Sequence, residues 1–205
     1  MKLGRADRDL VGLTVLALLS AQPSHPYELH RFIVDTHKDY ITGLPRSLYH
    51  AVDRLVHDEL ITPVGVSREG RRPERTVYEL TDEGRSELSS RLRRLLQVPD
   101  HDTRVFNAAV SLMGCLPPPE AERCLRARAA TLEGIIVSAG AHLAALADAG
   151  LPRVVALELE LEKTLRTTEL EWVRTITDEL GSAAISWSSP LKADLLPQLA
   201  EGATE

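Results

Sequence analysis

The sequence predicts a mainly α-helical protein whose first half carries one β-hairpin and whose second half is all helix. Three observations lead there. Aromatic residues make up only 4% of a 205-residue chain that is rich in Leu and Ala. The stretch Pro45 to Leu60 places Leu48, Ala51, Val52, Leu55 and Val56 at helical spacing, which puts one apolar stripe on a short helix. Immediately after it, Ile61 to Val66 and Arg75 to Leu80 are rich in Val, Ile, Thr and Tyr and flank the polar segment SREGRRPE, the pattern of a β-hairpin with a charged tip. The length is enough for a sizeable core and for two domains.

Taken in order, Asp9 caps a first helix, Leu10 to Ser20, that is apolar nearly all round and belongs to the core. Gln22-Pro23-Ser24 breaks it. A second helix starts near Pro26 with Glu28 in its first turn, where a negative charge complements the helix dipole. Leu29, Phe32 and Ile33 form its inner stripe, and it ends near His37. Lys38 to Leu44, with Gly43, connects it to the third helix, in whose first turn Pro45 is well placed. Three short helices in this order form a helix-turn-helix unit. Beyond the hairpin, Thr81 caps a helix that runs to Gln97 before Pro99, and Val98 to Asp102 is a linker. A helix from Thr103 to Cys115 follows, then Pro117-Pro118-Pro119 as a rigid break. Two long helices, Glu120 to Ala147 and Arg153 to Leu180, are separated by Gly150 and Pro152. In the last, Val154, Leu157, Leu161, Leu165, Trp172, Ile176 and Leu180 share a stripe that Leu159, Leu170 and Val173 widen, so much apolar surface that a partner helix is expected. The tail from Gly181 is expected to fray, with Leu195 and Leu196 able to dock locally.

The net charge of −6 is unevenly spread. Residues up to Gln97 hold 15 Lys and Arg against 14 Asp and Glu, and the rest hold 9 against 16. Any surface for phosphate therefore belongs to the first half. Lys2, Arg5 and Arg8 before an apolar run resemble a secretory signal, but Asp7 and Asp9 interrupt the basic part and no small-residue cleavage site follows. The run is also shorter than the roughly 20 apolar residues that span a bilayer. With two cysteines, Cys115 and Cys124, and no disulfide framework, the expectation is a soluble cytoplasmic protein without a membrane partner. Cys115 and Cys124 flank the proline break and read as small apolar residues. His25, His30 and His37 have no metal-ligand spacing and read as surface or capping residues. With no Gly-rich phosphate loop or nucleophile elbow either, neither catalysis nor a cofactor is expected.

The polar face of the third helix carries Arg46, His50, Asp53, Arg54 and His57, with Ser47 and Tyr49 at its edges. The hairpin tip carries Arg68, Arg71, Arg72 and Arg75, partly offset by Glu69 and Glu74. Taken singly, the first is an ordinary amphipathic surface helix and the second a solvated loop. Directly behind a helix-turn-helix, the basic hairpin reads better as a wing that grips phosphate.

The runs HPYELHRFI, LPRSLYHAVDRLVHDELI and REGRRPERTVYELTDEGR resemble the PadR family of bacterial transcription regulators. The carrying pairs are Tyr27-Glu28 opening the second helix, Leu48-Tyr49 in the third, Arg72-Pro73 in the wing and Tyr78-Glu79-Leu80-Thr81 at the strand end. Together they cover Leu10 to about Leu88. The second half resembles the longer members more loosely, through Glu171-Trp172-Val173. Pro26 stands where many members have Gly, and Arg46-Ser47 replaces small residues at the head of the third helix, so no operator sequence carries over.

The resemblance implies a winged helix-turn-helix domain, residues 1–97, followed by an all-helical dimerisation and effector domain, residues 98–181, and a flexible tail, residues 182–205. It further implies a homodimer on double-stranded, palindromic DNA, acting as a repressor released by a small-molecule effector. In that frame Arg46, Ser47 and His50 face base edges, Tyr27, Tyr49 and Arg54 fix the docking, and the four wing arginines meet phosphate. Trp172 is the candidate effector contact, against the equally open reading of a core tryptophan that only packs. The rival function is a winged-helix module that binds protein rather than DNA.

Overall fold

The computed structural model describes residues 2–67 and 75–188, in which seven α-helices and one two-stranded antiparallel sheet are formed. The chain divides into two compact units. The first holds the residues up to Leu95 together with Asp100–Pro117 and the segment from Trp187; the second holds Leu96–Pro99 and Pro118–Ser186.

In the first unit, α1 (Leu10–Ala21) is capped by Asp9, whose carboxylate accepts from the Gly12 amide at 3.1 Å. As its uniform apolarity predicts, α1 is the central core element, with Leu13, Val15 and Leu16 fully buried. The start of α2 (Pro26–Asp35) is held by a reciprocal cap: the Tyr27 amide donates to His25 Nδ1 at 3.0 Å and the His25 amide to Glu28 Oε2 at 2.8 Å. This satisfies amides that a helix N-terminus otherwise leaves open. At the other end, His37 takes a left-handed φ of 49° and donates to Val34 O, while the Lys38 amide donates to Ile33 O. The double bond pattern is that of a glycine-type stop, here built on a histidine.

Next comes α3 (Arg46–His57), with Leu48, Ala51, Val52 and Leu55 buried as its spacing predicts. Pro45 sits just outside the helix rather than in its first turn, its carbonyl accepting from the Leu48 amide. The helix ends in the same way as α2: Glu59 at φ 58° donates to Val56 O, and the Leu60 amide donates to Leu55 O. Strands β1 (Ile61–Ser67) and β2 (Arg75–Leu80) pair from Ile61 with Leu80 outward, with a register shift between Pro63 and Gly65. A single bridge from Ser24 to Tyr78 adds the α1–α2 loop to the β2 edge.

The strands lead into α4 (Asp82–Gln97) through one crowded junction. Thr81 caps α4 by accepting from the Gly84 amide at 3.0 Å, and its hydroxyl lies 2.9 Å from Glu59 O and 3.0 Å from Leu60 O. Its amide also donates to Leu60 O. The fit leaves no room for a side chain at position 84, where a Cβ would fall 2.1 Å from Leu60 O.

The linker and the fifth helix differ from the sequence expectation. α5 (Thr103–Ser111) is capped by Asp102, which the sequence reading had placed in the linker, and a 3-10 turn, Met113–Cys115, replaces its last turn. Val105, Ala108, Leu112 and Leu116 are buried, and α5 packs with α1 in the first unit. The expected boundary at residue 97 is therefore crossed in both directions, since Leu96–Pro99 belongs to the second unit. Arg128, only 1% exposed, ties this stretch to α6, its guanidinium donating to the Val98 and Leu96 carbonyls at 3.0 and 3.4 Å. Gln97 joins it by donating to Cys124 Sγ.

The second unit is a helical hairpin of α6 (Pro118–Asp148) and α7 (Leu157–Gly181). Pro118 and Pro119, read from sequence as a rigid break, instead open α6, where a proline's missing amide costs nothing. Gly150, at φ 68°, closes it. By length and composition α6 could cross a bilayer, but Ala121, Leu125, Arg128, Leu132 and Ala139 recur at the three-and-four spacing of a helix–helix seam and are buried. Along α7 the buried positions are Arg166, Leu170, Val173, Thr177 and Leu180. The stripe for which a partner helix is expected is thus largely not the face that α6 covers, and Val154 lies in a 3-10 turn, Arg153–Ala156, rather than in the helix. Val154 is 70% exposed, Leu161 61% and Leu165 59%, with Leu157 and Trp172 also exposed; only Leu180 of the group is buried. α7 has two apolar faces, and α6 covers the one that the sequence reading treated as a widening.

Charges cross the buried seam. Glu169 accepts from Arg128 Nε at 2.6 Å and from Arg166 Nη1 at 2.9 Å, so one carboxylate serves two buried arginines. The tail, expected to fray from Gly181, is held as far as it is described: Ala183 and Ile185 donate back to Leu180 and Glu179, and Trp187 Nε1 donates to Leu116 O at 2.8 Å. Leu195 and Leu196 lie outside the described residues.

Two outcomes follow for unfolding in urea. Thr81→Ala should lower stability by about 1–2 kcal/mol because it removes both the cap and the hydroxyl–carbonyl bond, with Thr81→Ser retaining most of it. Glu169→Ala, which removes the carboxylate that Arg128 and Arg166 share, should cost about 3–5 kcal/mol.

Candidate nucleic-acid interface

The local fold fixes which side of α3 looks outward. With Leu48, Ala51, Val52 and Leu55 held in the core, rotation of the helix about its axis would drag polar groups inside, so Arg46, Tyr49, His50, Asp53, Arg54 and His57 are presented to solvent. Tyr49 is 46% exposed, an aromatic with no core role.

Within that face the predicted residues separate. Arg46 and His50, one turn apart, are in contact, Arg46 Nε donating to His50 Nε2 at 3.3 Å. Arg46 has no carboxylate partner among the described residues, so its charge is available. Ser47 is half-buried and donates to Thr42 O at 3.0 Å, which ties the head of α3 to the preceding turn. Arg54 turns away from this group: its Nη2 lies 2.5 Å from Asp9 Oδ2. Tyr27 stands on α2, 49% exposed, just inside the His25 cap.

The wing predictions divide by position. Arg75 begins β2, its backbone paired with Ser67, and Arg68, Arg71 and Arg72 lie outside the described residues, as does the Arg75 side chain. Trp172 sits in the second unit on the exposed side of α7, which disfavours the reading of a tryptophan that fills the core.

Sequence reasoning saw Asp9 only as a helix cap and missed its second role. Its carboxylate caps α1, pairs with Arg54 and lies 3.9 Å from Arg91 Nη1, while Arg91 Nε donates to Glu87 at 2.6 Å. α1, α3 and α4 are joined through this one carboxylate. Nearby, Asp7 accepts from Arg94 Nε at 2.7 Å. The only sequence signal was the alternation of Asp7 and Asp9 with basic residues, which does not reveal partners more than forty residues away.

An arrangement of this kind offers a groove a short, rigidly seated helix with one uncommitted arginine, an adjacent imidazole and a phenol. Arginine can donate to two acceptors on a guanine edge, and Tyr or His can bond to phosphate or base.

Comparison with known proteins bears on the same residues. No curated protein matches the sequence. Among solved structures, Bacillus subtilis PadR in complex with operator DNA has 16% identity, with 87% of this chain and 99% of that chain covered and a TM-score of 0.42. A protein from Streptococcus mutans has 20% identity, coverage of 82% and 96%, and a TM-score of 0.37. A PadR-like transcriptional regulator from Bacillus cereus has 18% identity, coverage of 87% and 98%, and a TM-score of 0.33. The model of the transcriptional regulator PadR-like family matches residues 15–90, a span that contains α2, α3, both strands and most of α1 and α4; over that span the chain is a PadR-like domain.

Proposed function

We propose that the chain is a DNA-binding transcriptional regulator, a cytoplasmic homodimeric repressor acting on a palindromic duplex site, rather than an enzyme. One observation carries this reading: within a PadR-like domain, α3 is locked by its apolar side and turns Arg46, Tyr49 and His50 outward together. Arg46 and His50 address base edges with Ser47 beside them. Tyr27 and Tyr49 dock on the backbone, Arg54 sets the angle of α3 through Asp9, and Arg68, Arg71, Arg72 and Arg75 bring the wing to phosphate. A small effector that favours the non-binding conformation releases the site, and Trp172 on the exposed side of α7 is its candidate contact.

Dimerisation is supported by the uncovered face of α7. Leu157, Leu161 and Leu165 form an exposed stripe next to Val154 and Val155, which is more contiguous apolar surface than a solvated helix normally shows. A two-fold pair of such helices would bury it, and a palindromic site needs two reading helices about one turn of DNA apart.

Selection of bound duplexes from a random pool tests the whole reading. The expected result is a palindromic consensus, and enrichment no better than for unrelated DNA would favour the protein-binding alternative. Against the selected site, Arg46→Ala should relax preference at one position per half-site, a loss of about 1–3 kcal/mol of discrimination. Arg71→Ala with Arg72→Ala should weaken all duplexes and lower the log–log salt slope by roughly 0.9 for each phosphate no longer neutralised. Leu161→Glu with Leu165→Glu should give a monomer by light scattering and a matching drop in operator affinity. A dimer that survives both substitutions places the interface elsewhere.

A further inference from the structure

Arg46 and His50 stand one turn apart on the outward side of α3, and their backbone is held from beneath. Leu48 and Ala51, which lie on the inner side of the same turns, are 0% and 1% exposed. The Ser47 amide and hydroxyl donate to the Gly43 and Thr42 carbonyls. Side chains on a helix lean toward its N-terminus, so residues four apart meet on one face, the later reaching back over the earlier. His50 accordingly reaches Arg46, whose Nε donates to the imidazole Nε2 at 3.3 Å. A guanidinium has no acceptor, so Nε2 accepts and the imidazole proton of this pair sits on Nδ1.

That one bond decides which edge of Arg46 is left over. An arginine can meet a base sideways, through Nε and one Nη, or end-on, through both Nη groups. With Nε on His50, the end-on approach remains. Among the described residues no carboxylate lies within ion-pair distance of Arg46 to draw the two Nη groups elsewhere. Arg54, eight residues on, has its own Nη2 on Asp9.

Building on the regulator reading above, we propose that His50 is a positioning residue that holds Arg46 end-on for a guanine, rather than a residue that reads a base itself. Guanine presents two acceptors, N7 and O6, on its major-groove edge, which match two parallel Nη N–H groups. Adenine sets an amino donor beside N7 and would face one of those N–H groups with another donor. An arginine with a free side chain gives up many rotamers when it docks. Tied at Nε, Arg46 gives up fewer, so the reading unit of α3 is the pair.

The experiment compares the duplexes selected from a random pool by the full-length chain with those selected by Arg46→Ala, His50→Ala, His50→Gln and the double alanine variant. Both positions are exposed, so the fold tolerates all four. The unaltered chain should return one guanine per half-site that Arg46→Ala no longer requires. His50→Ala should relax that same guanine, lowering the preference for it about three- to tenfold, the worth of one hydrogen bond. His50→Gln, whose side-chain carbonyl can accept from Nε, should keep most of the preference. The double variant should lose no more than Arg46→Ala alone, as expected of two residues acting as one unit. Relaxation at a different base pair makes His50 a reader in its own right and overturns the proposal. An equal loss on every duplex with the preference intact, the behaviour of a phosphate contact, overturns it too. If the unaltered chain selects no motif, the regulator reading fails and the proposal falls with it; a motif that His50→Ala leaves unchanged overturns the proposal alone.

Discussion

The contact of Leu60 with the start of α4 is the constraint on which the N-terminal unit depends. The Leu60 carbonyl receives the Thr81 amide and hydroxyl and lies against the Cα of Gly84, while the Leu60 amide closes the end of α3. Four elements, α3, β1, β2 and α4, meet within a few residues there. Without a side chain at 84 the helix can approach the carbonyl closely enough for one threonine to cap α4 and hold the loop at once. The pairing of Ile61 with Leu80 is then fixed at the base of the hairpin, and the wing emerges in one register. A second clamp, Asp9 with Arg54 and Arg91, holds the same helix from the α1 side.

In the helical hairpin, specificity and stability pull against each other. Arg128 and Arg166 occupy seam positions that a leucine would fill with less desolvation cost. Glu169 pairs with Arg166 along α7 itself, and it meets Arg128 of α6 in only one alignment of the two helices, since a shift of one turn would separate that cross-seam pair. The network thus acts as a register mark between two long helices whose apolar repeats would otherwise tolerate slippage, the use for which a buried polar group in a coiled seam is best suited.

Most of the fold was legible because its signals are local. The stripe on α3, the Asp9 and Thr81 caps, Glu28 in the first turn of α2 and the β-rich runs each depend on residues a few positions apart, and each of these elements lies within a residue or two of where they place it. The errors came where distant chain segments decide. Periodicity showed that α7 is apolar on a wide arc but not which part α6 would cover. The reassignment of Leu96–Pro99 depends on a guanidinium thirty residues later in the chain. At the candidate interface, the outward side of α3 followed directly from its inward side. Nothing in the spacing could show that Arg54 is committed to Asp9 while Arg46 has no carboxylate beside it among the described residues, because that distinction is made by tertiary packing.

The two left-handed stops, His37 before the turn and Glu59 after α3, set a limit on how much sequence such a helix can read. They bracket a helix of 12 residues, about 18 Å long. Base pairs stack at roughly 3.4 Å, so even a helix lying flat along a groove passes about five of them, and its exposed side meets fewer. On the proposed reading, in which two copies address a paired site, each half-site would offer such a protein a small alphabet. Its discrimination between genomic sites would have to come as much from the spacing of two half-sites and the bendability of the DNA between them as from the letters themselves.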